Sequence, residues 1–192
     1  TGHEIGALAQ SLFPGGEEVA WNDGDFQYTL DRTQELIKGR KPVYEASFSA
    51  NNAYARADIL VPSGRSAWDI VEVKSGTSVK DVNIEDATFQ KYCYVSAGTK
   101  ISKCSLMHLN NKYERQGDLN PKELFVIEDI SEAVDEKLPL VPQKISEMLE
   151  VINLKECPNV RVGLQCSDPY GCPMYDKCHG FLPEHNPRTL YH

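Results

Sequence analysis

Two carboxylates and a lysine lie in two apolar segments of this chain, and these residue types together suit metal-dependent chemistry. Asp58 lies in the segment 54–61, while Glu72 and Lys74 lie in the segment 67–74. Carboxylate oxygens are hard ligands of the kind that Mg²⁺ and Mn²⁺ prefer. A neighbouring ammonium group can hold a water molecule or stabilise charge that develops in a transition state.

Both segments have the pattern of β-strands, and the residues between them predict a tight connection. Residues 62–65 include Pro and Gly, which favour a turn. A hairpin would bring Asp58 close to Glu72 and place Lys74 one pleat further on. Charges in a hairpin are usually solvated, but Asp58 and Glu72 interrupt apolar strands, where an unpaired charge is costly.

The helix predicted over residues 83–97 carries two polar residues on one face. Gln90 and Tyr94 are spaced i and i+4 and therefore lie side by side. They fit a hydrogen-bonding pair at the edge of the core, or contacts with a substrate or metal site. Their position soon after Lys74 favours the second interpretation.

Two residues elsewhere are further candidates for the same site. His3 lies at the start of the helix predicted over residues 1–12, where it is either an exposed or capping group or a metal ligand. Glu45 lies in the strand predicted over residues 43–49. It is either another carboxylate near the metal or a paired surface charge, and the pattern alone favours the surface charge.

The C-terminal part of the chain contains a group of cysteines separated by turn-forming Pro and Gly. The three cysteines are Cys166, Cys172 and Cys178. Thiolates select zinc or an iron–sulfur cluster, and both centres normally need four ligands. A zinc site could be completed by Cys157, His179 or His185. The alternative is a set of free thiols in a mobile tail, and the two remaining cysteines, Cys93 and Cys104, are predicted to be buried thiols.

Asp58, residues 72–74 and residues 90–94 together resemble the PD-(D/E)XK nuclease superfamily. Within it they resemble the RecB-type exonuclease branch, which has a Gln-x-x-x-Tyr motif on the helix after the lysine strand. Residues 2–6, Gly-His-Glu-Ile-Gly, resemble the upstream histidine motif of that branch. The cysteine group resembles the iron–sulfur clasp of the CRISPR-associated members, while Ala57 stands where the superfamily pattern has proline.

The resemblance implies an α/β fold with a restriction-endonuclease-like core, in which helices flank a central mixed β-sheet. The nuclease core would comprise residues 1–155, and a metal-binding tail, residues 156–192, would pack on it. In the family, a cysteine upstream of the histidine motif completes a [4Fe–4S] cluster. We therefore expect an N-terminal piece to be missing here, and the tail of this chain to hold zinc or no metal.

The implied activity is hydrolysis of phosphodiester bonds by a Mg²⁺- or Mn²⁺-dependent DNA exonuclease, on single strands or DNA ends. The expected metal ligands are His3, Asp58, Glu72 and the carbonyl of Val73. Lys74 would position the attacking water, and would also accept its proton if desolvation near the metal lowers the pKa of Lys74. Gln90 and Tyr94 would orient the substrate or support the site.

The composition limits the class of protein and its partners. The 192 residues are 41% hydrophobic, enough for one core, and carry a net charge of −8, which argues against broad binding to duplex DNA. An apolar run of the ~20 residues that span a bilayer is absent from the sequence. Six cysteines without a secretion signal favour an intracellular, cytoplasmic protein that binds metal. The resemblance adds DNA-repair or CRISPR-adaptation proteins as partners.

Two other functions fit the same residues. The first is a nucleic-acid-binding or interaction module with a decayed site, against which the intact Asp58, Glu72 and Lys74 argue. The second is a structure-specific endonuclease on the same core. The histidine helix and the cysteine tail favour the exonuclease over this endonuclease.

Overall fold

The structure, a computed structural model, describes residues 2–187. Its strands are β1 (Glu17–Glu18), β2 (Val43–Ala50), β3 (Ala53–Ser63), β4 (Ala67–Lys74), β5 (Ile101–Leu109) and β6 (Phe125–Asp129). Its α-helices are α1 (Gly2–Gln10), α2 (Phe26–Leu36), α3 (Asp81–Ser96), α4 (Pro121–Leu124), α5 (Ser131–Lys137), α6 (Val141–Ile152) and α7 (Tyr175–His179). Short 3-10 turns occupy Ile37–Gly39, Leu138–Leu140 and Leu164–Cys166. Residue 1 of the predicted first helix and residues 188–192 of the predicted tail lie outside the described residues.

The strands form one mixed sheet whose spatial order follows the chain, β1 to β6. Strands β2, β3 and β4 are antiparallel neighbours, whereas β5 pairs parallel to β4 and antiparallel to β6. The parallel step requires a crossover, which contains α3. The predicted α/β fold, a central mixed sheet with flanking helices, is confirmed, and the predicted group of cysteines lies in the C-terminal region.

The turns explain why three consecutive strands pair as neighbours. Asn51 and Asn52 have φ values of 52° and 62°, the left-handed conformation that a two-residue hairpin requires and that Asn tolerates. Gly64, with φ of 52°, reverses the chain between β3 and β4. The sequence-predicted hairpin between these two strands is confirmed.

Two helices pack on the sheet through apolar contacts: α1, which precedes strands β2 to β4 in the chain, and α3, which follows them. Ala9 of α1 lies in a cluster with Ile59, Val71 and Met107 of the sheet. Tyr94 of α3 packs instead against Phe48 of β2, with ring centroids 4.3 Å apart. These contacts fix α1 and α3 against the strands that carry the predicted site residues.

The described chain forms two compact units. The first extends to Ser146 and holds the whole sheet, and the second begins at Glu147, within α6, and holds the cysteine-rich segment. Among residues 2–187, no helix is both long enough and apolar enough to cross a membrane.

Candidate active site

Neighbouring strands place three carboxylates in one row. Ile59 pairs with Val71 in the β3–β4 ladder, so the next position sets Asp58 against Glu72. On its other side, β3 pairs with β2 at Tyr44–Ile59 and Ala46–Ala57, which sets Glu45 against Asp58. The row Glu45–Asp58–Glu72 therefore crosses three adjacent strands.

The backbone departs from regular strand geometry within this row. Glu45 has a φ of 56°, a conformation that costs a non-glycine residue about 1–3 kcal/mol. The ladder between β2 and β3 omits the Glu45–Asp58 pair. On the N-terminal side of the break, the Tyr44 hydroxyl donates to the carbonyl of Phe13, which lies just after α1. On its C-terminal side, Phe48 contacts Tyr94 of α3. The break at the carboxylate row therefore lies where β2 passes from contacts near α1 to contacts with α3.

The hairpin backbone orients Asp58. The N–H of Val73 donates to Asp58 Oδ2 at 2.7 Å. Burial raises the pKa of Asp58 to about 6, against the opposing effect of this hydrogen bond. Removing a carboxylate from water disfavours its charged form, so Asp58 is held in place in a site that its own charge destabilises.

Glu72 is the most deeply buried carboxylate of the row, with 5% of its surface exposed. Its burial and the nearby charge of Asp58 raise its pKa to about 7. Lys74 Nζ donates to Glu72 Oε1 at 2.7 Å, and Gln90 Nε2 donates to Glu72 Oε2 at 2.8 Å. Both oxygens of Glu72 are therefore bound, one by a strand residue and one by a helix residue.

Lys74 has a second partner, Asp86, which the sequence analysis missed. Lys74 Nζ donates to Asp86 Oδ2 at 2.7 Å. Burial lowers the pKa of Lys74, but the attraction of Glu72 and hydrogen bonds to both carboxylates outweigh it and raise the pKa. In this arrangement the lysine is a charged donor, whereas the lowered pKa expected for Lys74 beside a bound metal stays a prediction. The signal for Asp86 was its spacing of i−4 from Gln90 on the same helix face.

Tyr94 supports the strands and does not line the site. Its side chain is fully buried; its hydroxyl accepts from the N–H of Ala57 at 3.0 Å and donates to the carbonyl of Ala46. These backbone groups flank the Glu45–Asp58 position. Tyr94 thus matches the core hydrogen-bonding interpretation, while its neighbour Gln90 contacts the carboxylate itself.

All of the predicted site residues of the first unit except Gln90 and Tyr94 line one cavity of about 550 Å³. Its wall includes His3, Glu45, Asp58, Glu72, Val73 and Lys74, together with Gly2, Gly6, Ala7 and Gln10 from α1 and Glu18 from β1. His3 is exposed, whereas burial raises the pKa of Glu45 against the opposing charge of Arg56. Arg56 pairs with Glu45 at 3.2 Å, so Glu45 is both a paired charge and part of the cavity wall.

The donor set suits a hard divalent cation. In the described part of the chain, residues 2–187, no three His, Cys, Asp or Glu side chains are already arranged to hold a metal ion. The row nevertheless concentrates carboxylate oxygens at buried positions beside an open cavity, and their raised pKa values show the cost of that charge. A cation in the cavity would remove this cost, so Asp58 and Glu72 fit Mg²⁺ or Mn²⁺.

The tail cysteines lie in the second unit. The N–H of Cys172 donates to the carbonyl of Cys166 at 2.9 Å, and both residues are partly buried, whereas Cys178 is exposed on α7. No group of three potential metal-binding side chains forms there within the described residues. A zinc or [4Fe–4S] centre stays a prediction.

The two core cysteines behave as predicted. Cys93 and Cys104 are fully buried, and burial raises the pKa of Cys93 to about 11 and that of Cys104 to about 12. Thiols with such pKa values are protonated and unreactive at neutral pH. The prediction of buried thiols is confirmed.

Comparisons with known proteins do not assign a family. No protein-family model matches the chain, and no curated protein matches it. Among solved structures, the chain is similar to the crystal structure of a protein named SSO0001, with a TM-score of 0.36 and 12% sequence identity. The match covers 94% of this chain and 78% of the other.

Proposed function

We propose that this protein is a metal-dependent deoxyribonuclease with a PD-(D/E)XK-type site on a restriction-endonuclease-like core. The observation that carries the proposal is that His3, Asp58, Glu72 and Lys74 line the same cavity. These side chains come from α1, β3 and β4, three elements whose positions are fixed by packing. Two carboxylates beside an ammonium group suit hydrolysis of a phosphodiester.

Asp58 and Glu72, with His3 and the carbonyl of Val73, would hold Mg²⁺ or Mn²⁺. When bound, such an ion supplies Lewis acidity that lowers the pKa of water and stabilises charge on the phosphate. The chain itself orients the two carboxylates: the Val73 N–H fixes Asp58, and Gln90 fixes Glu72.

Lys74 acts in this proposal as a positioned cation. Held by Glu72 and Asp86 with a raised pKa, it stays protonated at neutral pH. Its N–H groups donate to the attacking water and to phosphate oxygens, where negative charge develops. Lys74 therefore stabilises the transition state without accepting a proton.

The substrate is a single DNA strand or a DNA end rather than a long duplex. With a net charge of −8 and a cavity rich in carboxylates, the chain does not attract the backbone of a long duplex. A strand that enters one cavity needs only local contacts. We propose that the protein acts in the cytoplasm with DNA-repair or CRISPR-adaptation proteins as partners. Its cysteine-rich tail would hold zinc or a [4Fe–4S] cluster with a structural role.

The test is degradation of end-labelled single-stranded DNA with Mn²⁺, comparing the wild type with Lys74→Ala. The wild type should shorten the strand from an end, and Lys74→Ala should lower the rate by at least about 100-fold. Lys112→Ala, which removes an exposed lysine in a loop, serves as the matched control. A Lys74→Ala protein as active as wild type would refute the assignment. Absence of Mn²⁺-dependent cleavage by the wild type would refute the nuclease proposal.

A further inference from the structure

Three aromatic side chains form a cluster called here the aromatic platform: Trp21 and Phe26, which are exposed, and Tyr54, which is partly buried. The Trp21 and Phe26 rings meet edge to face at 5.5 Å, and the Phe26 and Tyr54 rings at 4.9 Å. Trp21 is 49% exposed and Phe26 52% exposed. Large rings held by each other and open to solvent suit a stacking surface.

Arg56 connects the aromatic platform to the candidate active site. Its guanidinium lies over the Trp21 ring, 5.2 Å from the centroid. The same group pairs with Glu45 Oε2 at 3.2 Å, and Glu45 lines the catalytic cavity. Arg56 also precedes Asp58 by two residues on β3, about 7 Å along the strand. The platform therefore adjoins the cavity within the same structural unit.

The charge pattern identifies the chemistry of the occupant. Arg56 is already paired with Glu45, and it donates to the carbonyl of Val19 at 3.0 Å. The platform thus offers aromatic faces rather than a free cation, which suits a nucleobase better than a phosphate. Bases within a duplex already stack on one another, so only an unpaired base is available for a protein ring.

We propose that the aromatic platform stacks an unpaired base of a single DNA strand whose phosphate enters the cavity. The inference rests on the proposed nuclease function and deepens it by naming the part of the substrate that is recognised. Because every base has an aromatic face, the contact is tolerant of sequence. It selects single strands over duplexes without requiring a basic surface.

The two tryptophans of the chain allow a direct binding assay. Trp21 is exposed, whereas Trp68 is 4% exposed and lies under Arg40. The assay is a titration of a single-stranded thymidine homopolymer into the protein, followed by tryptophan fluorescence. EDTA in the buffer prevents cleavage during the titration. The wild type should be quenched, and the quenching should be lost in Trp21→Ala, which retains only Trp68.

Affinity variants separate stacking from other contacts. Measured by anisotropy of a labelled strand, Trp21→Ala should raise the Kd about tenfold. Trp21→Phe should restore most of the affinity, and Trp21→Leu, apolar but without a ring, should not. Ile127→Ala, which truncates an equally exposed side chain on β6, is the matched control. An abasic strand of the same length and charge should bind about as weakly as the homopolymer binds Trp21→Ala.

The outcomes distinguish this inference from the proposed function. Equal affinity of wild type and Trp21→Ala, or of abasic and normal strands, would overturn base stacking and leave the platform as a surface for a protein partner. Because the titration needs no metal, its result is independent of the cleavage assay. Stacking without Mn²⁺-dependent cleavage would refute the nuclease alone, and cleavage without stacking would refute only this inference.

Discussion

Asp58→Asn should make the protein more stable at alkaline pH. Asp58 is partly buried, and its charge repels Glu72 in the native structure. Asn has nearly the same shape and keeps an oxygen that accepts from the N–H of Val73. The substitution therefore removes the charge and leaves the local contact in place.

The magnitude follows from the pKa of Asp58. A rise from 3.8 to about 6 means that ionised Asp58 destabilises the native state by about 3 kcal/mol. The charge of Asp58 also contributes to the raised pKa of Glu72, so the costs of the two ionised groups do not add in full. At about 2–4 °C per kcal/mol for a chain of this length, Asp58→Asn should raise Tm by roughly 6–12 °C at about pH 8.

The sign of the pH dependence is fixed by the direction of the shift. The native state of the wild type keeps the Asp58 proton to a higher pH than the unfolded state does. The contribution of this Asp58 proton to the free energy of unfolding is present in full below the unfolded pKa of about 4. It falls as the pH rises through about 6. The advantage of Asp58→Asn should therefore vanish below about pH 4 and reach its limit above about pH 7.

The measurement is thermal unfolding of both proteins in EDTA across this pH range, with Asp118→Asn, a change at an exposed loop carboxylate, as control. Mn²⁺ at 100 times its Kd should then stabilise the wild type by about 2.7 kcal/mol, which is seen as a higher Tm. The same concentration of Mn²⁺ should have little effect on the Tm of Asp58→Asn. A Tm difference that is independent of pH, or an Asn variant less stable than wild type at alkaline pH, would refute the account of Asp58 as a costly buried charge.

Two further variants test the residues around the row. Asp86→Asn should slow cleavage about tenfold, because Lys74 loses a charged partner; Asp86→Glu should restore the rate, and full activity of Asp86→Asn would count against a positioning role. Tyr94→Phe leaves two buried backbone groups unpaired and should cost about 1–3 kcal/mol of unfolding free energy in urea. Tyr92→Phe, which loses only an exposed bond to Asn51, is its control, and equal effects of the two changes would contradict the role given to Tyr94.

The parts of the fold that depend on local sequence were predictable. The β3–β4 hairpin follows from alternating apolar residues around a Pro- and Gly-containing turn, and contacts between neighbours in sequence determine it. The same local reasoning located α3 and the face that carries Gln90.

The parts that depend on distant contacts were not predictable in the same way. Glu45 is a residue type that rarely adopts a positive φ, so nothing in its neighbourhood announced the break in β2. The pKa of Lys74 is raised by Glu72 and also by Asp86, a residue twelve positions later whose contact with Lys74 joins a strand to a helix. Trp21 lies in a segment without helical or strand periodicity, and its contact with Arg56 joins residues far apart in the chain.

The energetic cost of the carboxylate row favours a binding function over a decayed module. One buried and one partly buried carboxylate with raised pKa values lower the stability of the native protein at neutral pH, and a single Asp→Asn change at position 58 would relieve much of that cost. The surrounding contacts offset only part of it: the Val73 N–H and the charge of Lys74 oppose the rise in the two pKa values, and Tyr94 fixes the backbone beside them. At neutral pH, a cation that binds beside these like charges would add stability to the native state, which is the property that a metal-dependent site requires.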